Sequence, residues 1–299
     1  MRIDISSSSI LGEKGEENFY ACRDACRKYG FEFGVQLHNT SDDNIINFVR
    51  QSGEKFTVHA PVRGDYSLNL STSQNLPIIF KAFEDNYNFL KELKVDLTVF
   101  HGFAMTDILI GSMKSQADYA KNLSLLKRDD LKNGENSVIN NDFTKLPEYF
   151  ERLEFLRENL KTVRKNFPDV VFSIENDLPV YGYGAMKLSD MVQLEHPICI
   201  DIGHLWVSSL AIDLDYYREL EIGLAECDVR MIHFHNSVMT HQTPKTALTD
   251  GHLGISAKNE IDLERSFNLM RKYGIDYLVL EITKCCPDDI KKIAEFIGA

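Results

Sequence analysis

Residues 198–204 read ICIDIGH: an apolar run of strand length that ends on Asp201 and is followed three residues later by His204. A run so short and so apolar suits a strand covered on both faces, as in a parallel sheet. An acid at its end is costly to bury unless something pairs with it. The same construction recurs outward in both directions: FTVHAP (56–61), TVFHGF (98–103), FSIEND (172–177), MIHFHN (231–236) and LVLEIT (278–283). Each of these strand ends carries a group able to bind a metal ion, namely His59, His101, Glu175, His233 and Glu281.

With Arg2–Ser6 and Phe31–Leu37 at the start, the strand candidates number eight: those two, Phe56–Ala60, Leu97–His101, Val170–Glu175, Ile198–Asp201, Arg230–His233 and Tyr277–Ile282. Between them, Glu16–Tyr29, Asp43–Gln51, Leu76–Leu93, Pro147–Asn166, Tyr216–Cys227, Asp262–Tyr273 and Pro287–Phe296 repeat apolar residues at helical intervals; Lys187–Leu194 is weaker. Eight strand and helix units with right-handed crossovers predict an α/β (β/α)₈ TIM barrel, one domain spanning 1–299. An open doubly wound sheet would usually carry a glycine-rich nucleotide loop after its first strand, and none follows Arg2–Ser6. The polar, Asn- and Lys-rich segment 104–145 breaks the rhythm after the fourth strand and reads as an inserted loop or lid over the active-site end.

Composition narrows the class. The 299 residues are 43% hydrophobic and 26% charged, ordinary for a globular chain that needs no disulfide staples. Lys and Arg total 33 against 45 Asp and Glu, and the net charge of −12 opposes nucleic acid and acidic membranes. Carboxylates gathered as metal ligands would contribute to that excess. The six cysteines form no Cys-x-x-Cys pair, MRIDISSSSILGEKGEE (1–17) has no export pattern, and no apolar run is long enough to span a bilayer. A reduced, cytoplasmic setting is expected.

In a barrel all strand ends point at one axial mouth, so these residues converge although they are distant in sequence. His204 of CIDIGH, and Asp250 and His252 of TDGHLG (249–254) on the loop after strand seven, join them. Nine imidazoles and carboxylates in equivalent places predict a site for one or more divalent metal ions, zinc or manganese.

The order and local sequence of these residues resemble the xylose isomerase-like barrel superfamily, which holds sugar isomerases and epimerases together with endonuclease IV. The resemblance covers nearly the whole chain outside 104–145. It implies a single-metal set of Glu175, Asp201, His233 and Glu281 in the manner of the sugar enzymes. It further implies that His59, His101, His204, Asp250 and His252 occupy the additional ligand positions of endonuclease IV, which binds three zinc ions. The signature stretches of that DNA enzyme are altered: ENDLPVYG (175–182), HNSV (235–238) and APVRGDYSLNL (60–70) stand in their places. Abasic-site recognition is therefore disfavoured, and a small sugar-like substrate is favoured over nucleic acid.

Two chemistries remain open. In the favoured one, an isomerase, epimerase or related lyase, a metal polarises a carbonyl and hydroxyl pair while Glu175 and Glu281 act as acid and base, with His101 and His204 orienting hydroxyls. In the alternative, a multinuclear set hydrolyses a phosphoester, of abasic DNA or of a small molecule. A barrel that binds metal without catalysis is the remaining reading. His235, two residues beyond His233 and on the same strand face, is a candidate to assist it or to meet substrate. Trp206 is a candidate pocket wall, with packing an equal alternative. Arg63, Tyr66, Lys187 and Lys245 could grip an anion or be merely solvated. Cys285 and Cys286 read as small buried residues near Glu281, and Ser6–Ser9 as a loop without a nucleophile pattern.

Overall fold

A computed structural model describes residues 1–112, 116–126, 128–132, 142–178 and 187–298. Eight strands close in sequence order into an all-parallel barrel: β1 Arg2–Ser6, β2 Glu32–Leu37, β3 Lys55–Ala60, β4 Leu97–Phe100, β5 Val171–Glu175, β6 Ile198–Asp201, β7 Val229–His233 and β8 Tyr277–Leu280. Around it run α1 Gly15–Lys28, α2 Asp43–Ser52, α3 Leu76–Leu93, α4 Gln116–Leu126, α5 Pro147–Asn166, α6 Leu188–Met191, α7 Ile202–Ile212, α8 Tyr216–Glu226, α9 Leu263–Lys272 and α10 Pro287–Ile297. The TIM-barrel expectation holds, with strand ends within a residue or two of those the sequence predicts.

Two helices were not foreseen. Every residue of α7 is buried, so it has no polar face and therefore no amphipathic period to detect. Helix α4 lies inside the 104–145 segment; residues 113–115, 127 and 133–141 of that segment lie outside the described residues. Its described part is tied to the loop after β3, where Ser71 Oγ donates to Ala104 O (2.7 Å) and Asn69 Nδ2 to Thr106 O (3.1 Å), and to itself, where Arg128 Nη1 donates to Met105 O (2.6 Å).

The main apolar core lies between barrel and helices. Phe83 of α3 meets Phe100 of β4 and Phe172 of β5 edge-on, with ring centroids 5.2 and 5.3 Å apart. Inside the barrel, the period of two sets a layer of fillers beneath the mouth. Thr57, Val99, Ser173, Cys199, Met231 and Val279 are buried, and each stands two residues before a strand-end His, Glu or Asp. Deeper still, Asp4 is enclosed by Arg2 (2.8 Å) and Tyr277 (2.7 Å) and closes the base. Among the described residues no helix is long and apolar enough to cross a membrane.

Candidate metal centre

The strand ends converge as the topology requires; among the described residues five overlapping sets of donors lie close enough to hold an ion, and three of them gather nine residues of the mouth into adjoining groups. In the central one, ligand atoms of Glu175, Asp201, His233 and Glu281 all lie within 4.8 Å of one another. His233 Nδ1 is 2.8 Å from Glu175 Oε1, 2.9 Å from Glu281 Oε2 and 3.6 Å from Asp201 Oδ2. One imidazole nitrogen can carry one proton, yet three carboxylates face it. A tetrahedral zinc site with bonds of about 2.0–2.1 Å would separate its donor atoms by roughly 3.3 Å, which these spacings bracket.

The first group is built around the other oxygen of Glu175. Oε2 lies 3.1 Å from His59 Nε2 and 3.7 Å from His101 Nε2, and His101 Nδ1 is held 3.0 Å from Asp177 Oδ2. The third group is His204, Asp250 and His252. Its two imidazoles are set alike. His204 Nδ1–H donates to Asn176 O (3.1 Å) and His252 Nδ1–H to Glu281 O (2.8 Å), which leaves both Nε2 atoms turned toward Asp250 Oδ2. Anchoring one ring nitrogen on a backbone carbonyl and presenting the other is how proteins prepare histidine for metal.

The physical cost of this arrangement points to a cation. His59 Nδ1 and His233 Nε2 are buried without a hydrogen bond, each a liability of about 1–3 kcal/mol, and Glu281 Oε2 has only the shared His233 Nδ1 2.9 Å away. His252 sits at φ 41°, disfavoured for a residue with a Cβ and worth roughly 1–3 kcal/mol of strain. Without metal, protons take the cation's place. Burial would lower His252, but Asp250 and Glu281 outweigh it and lift it to about 10. His101 rises to about 9 against burial through Asp177 and Glu175. Burial would raise Glu281, yet His233 and His252 hold it at about 2. Glu175 and Asp201 likewise stay well below the carboxylate range, against burial, through their histidine neighbours. The donor set and its geometry fit divalent metal.

Asp201 is fixed from several sides. It caps α7, accepting from His204 N (2.6 Å), its main-chain N–H is bonded by Asn176, and His235 Nε2 lies 3.1 Å from both its carboxylate oxygens. His235 is fully enclosed, with Gly203 so close that a Cβ there would meet the ring at 2.0 Å. Its setting suits support of Asp201, or ligation beside His252 and Glu281, not contact with substrate. Trp206 is 4% exposed and its indole N–H donates to Met239 O (2.7 Å), the environment of a packing residue.

The anion-gripping candidates are committed elsewhere: Arg63 pairs with Asp43 (2.5 Å) and lies over Phe89, Lys245 pairs with Asp213 (2.8 Å), and Lys187 is 3.9 Å from Asp190. Tyr66 bridges Gly111 through its backbone. Cys285 is buried and Cys286 caps α10, while Ser6 ends β1 and caps the single 3₁₀ turn Ser7–Ile10, in which Ser9 donates to Ile282 O (2.6 Å). Two residues of the mouth escaped sequence reading: Asp177, which orients His101, and His38, directly after β2. His38 could have been found by the same strand-end rule that found His59.

The arrangement of strands and mouth decides the comparison with known proteins. The fold is that of the xylose isomerase-like TIM barrels. A D-tagatose 3-epimerase-like protein superposes over all of this chain and 96% of its own (TM-score 0.58, 13% identity). A 3-keto-D-glucoside 4-epimerase from E. coli does so over 100% and 98% (0.55, 13%). Endonuclease IV from Thermus thermophilus matches over 99% and 98% (0.55, 14%). No family model matches the chain, and no curated protein matches it in sequence. Epimerases and an endonuclease thus share this xylose isomerase-like frame, and the chemistry must be argued from the site.

Proposed function

We propose that this chain is a single-domain, multinuclear metal-dependent hydrolase of a small phosphoester. The carrying observation is Glu175: one buried carboxylate gives Oε1 to His233 at 2.8 Å and Oε2 to His59 at 3.1 Å, so it can bridge two cation positions. A one-metal isomerase would use His101 and His204 to orient hydroxyls, which leaves the clustering of His59 with Glu175 and of Asp250 with His252 without a role in that reading.

The reaction adds water across a P–O bond: the water oxygen joins phosphorus, and the leaving alcohol takes a proton. Bound divalent ions would supply Lewis acidity to activate the water and neutralise charge on the phosphoryl oxygens. The chain's own contribution is to hold donors rigidly. Glu175, Asp201 and His233 are fully enclosed, whereas the side chains of His101, Asp250 and His252 keep 29, 24 and 30% exposure. Reactants therefore approach over the first and third groups, with Glu175 and Asp201 as supports from below. The altered loop sequences, the net charge of −12 and the engagement of Arg63, Lys187 and Lys245 favour a small substrate over DNA. The described part of segment 104–145, tied to the loop after β3 at Ala104 and Thr106, would shape substrate choice.

The second reading, sugar isomerisation or epimerisation, draws on the central group alone: Glu175, Asp201, His233 and Glu281 suffice for one metal. Protein reconstituted with zinc or manganese separates the two. More than one ion per chain and hydrolysis of p-nitrophenyl phosphate or its diester support the first. A single ion, no hydrolysis and interconversion of D-fructose or D-tagatose with their 3-epimers would replace it with the second.

A further inference from the structure

We propose that His38 is a substrate-binding residue that donates a hydrogen bond from Nε2–H to a phosphoryl oxygen of the bound ester; this rests on the phosphoester reading. Strand β2 turns Gln36 into the barrel, where it is 2% exposed and its Nε2 lies 3.4 Å from Met231 Sδ. Two residues on, His38 continues that face into the layer that holds His59, His101 and His233. Its ring centroid is 5.6 Å from that of His59, and Glu281, His252 and His101 are its other charged neighbours.

The contacts of the ring favour one tautomer. Thr40 N–H donates to Nδ1 (3.4 Å), with Thr40 Oγ1 3.0 Å from the same atom, so Nδ1 accepts and the proton of the neutral ring resides on Nε2. The main chain is pinned as well: His38 N donates to Ser7 Oγ (2.8 Å), which bonds Ser41 Oγ (2.8 Å). Nε2 itself has no hydrogen-bond partner among the described residues, and His38 belongs to none of the ligand groups. A phosphoryl group over His59 would present oxygens to it. With Arg63 and Lys245 turned to Asp43 and Asp213 and Lys187 3.9 Å from Asp190, His38 is an oriented donor among the described residues of the mouth.

The test uses full-length zinc-loaded protein, inorganic phosphate as probe, and His38→Leu, His38→Asn and His38→Gln. Gln places an amide donor near the Nε2 position; Asn places one only near Nδ1. Expected are a ¹⁵N spectrum showing the Nε2–H tautomer, a shift of that signal with phosphate, phosphate affinity about tenfold weaker in His38→Leu and His38→Asn, and near-wild-type affinity in His38→Gln. Unchanged affinity in both His38→Leu and His38→Asn, or an Nδ1–H tautomer, would overturn the assignment alone. Wild-type protein that binds no phosphate at all would overturn the phosphoester reading along with it.

Discussion

His233 Nδ1 lies 2.8 Å from Glu175 Oε1, and neither side chain has any exposure. In water such a pair would be worth little, but here the carboxylate cannot be solvated and its second oxygen already faces His59. Glu175 therefore holds two ligand groups in register, and removing its charge should disturb both. In Glu175→Gln, metal content after zinc reconstitution is expected to fall by more than one ion per chain, whereas Asp250→Asn should cost only the third group. Equal losses from the two variants, measured by mass spectrometry of the metal, would mean that Glu175 does not bridge.

Gly203 is the residue that lets His235 reach Asp201. A Cβ there would lie 2.0 Å from His235 Cε1 and 2.5 Å from Nε2, on a ring with no free space around it. Gly203→Ala should cost about 1–3 kcal/mol of stability by overpacking. It should also weaken metal binding, because Asp201 loses its clamp. Thermal unfolding and zinc titration measure the two effects, and wild-type values in both would show that His235 is dispensable.

The opposite end of the sheet carries a different histidine. His196 donates from Nε2 to Phe172 O (2.6 Å) and accepts at Nδ1 from Arg164 (2.6 Å), joining β5 to α5. Burial, with a smaller push from the Arg164 charge against the pull of the Phe172 carbonyl, lowers it from 6.5 to about 4. Between these values the unfolded chain binds a proton that the folded chain refuses, so stability is full above pH 6.5 and declines as pH falls toward 4, by about 3 kcal/mol at most. NMR titration should place the His196 midpoint near 4. In His196→Gln the urea midpoint should lose part of its dependence on pH in that window, and an unchanged slope would exclude His196 as its source.

Phe83 carries the packing of α3 on β4 and β5, fully enclosed among Phe100, Phe167 and Phe172. Phe83→Ala should cost about 3–5 kcal/mol, the transfer of the ring plus the cavity it leaves. A cost below about 1 kcal/mol in urea unfolding would mean that the helix closes over the gap.

The strands and the polar residues at their ends were legible because each is a local pattern: an apolar run, then a His, Glu or Asp whose burial only a partner can offset. Helix α7 was not legible, since enclosure on every side erases the helical period that marks an amphipathic segment. Trp206 could not be placed from sequence because one aromatic suits a pocket wall and a core equally; only its bond to Met239 O separates them. His38 obeys the same rule as His59 but lies in LHNT, without a flanking signature to draw attention.

By itself, then, the sequence determined the barrel and its ring of donor residues, for alternation and strand-end polarity are written along the chain. Which donors lie close together was decided by the tertiary structure alone. The place of Glu175 between His233 and His59, the clamp of His235 on Asp201 and the common aim of His204 and His252 at Asp250 depend on distances between strand ends far apart in the chain. Those distances are set by barrel closure and register, and nothing local encodes them.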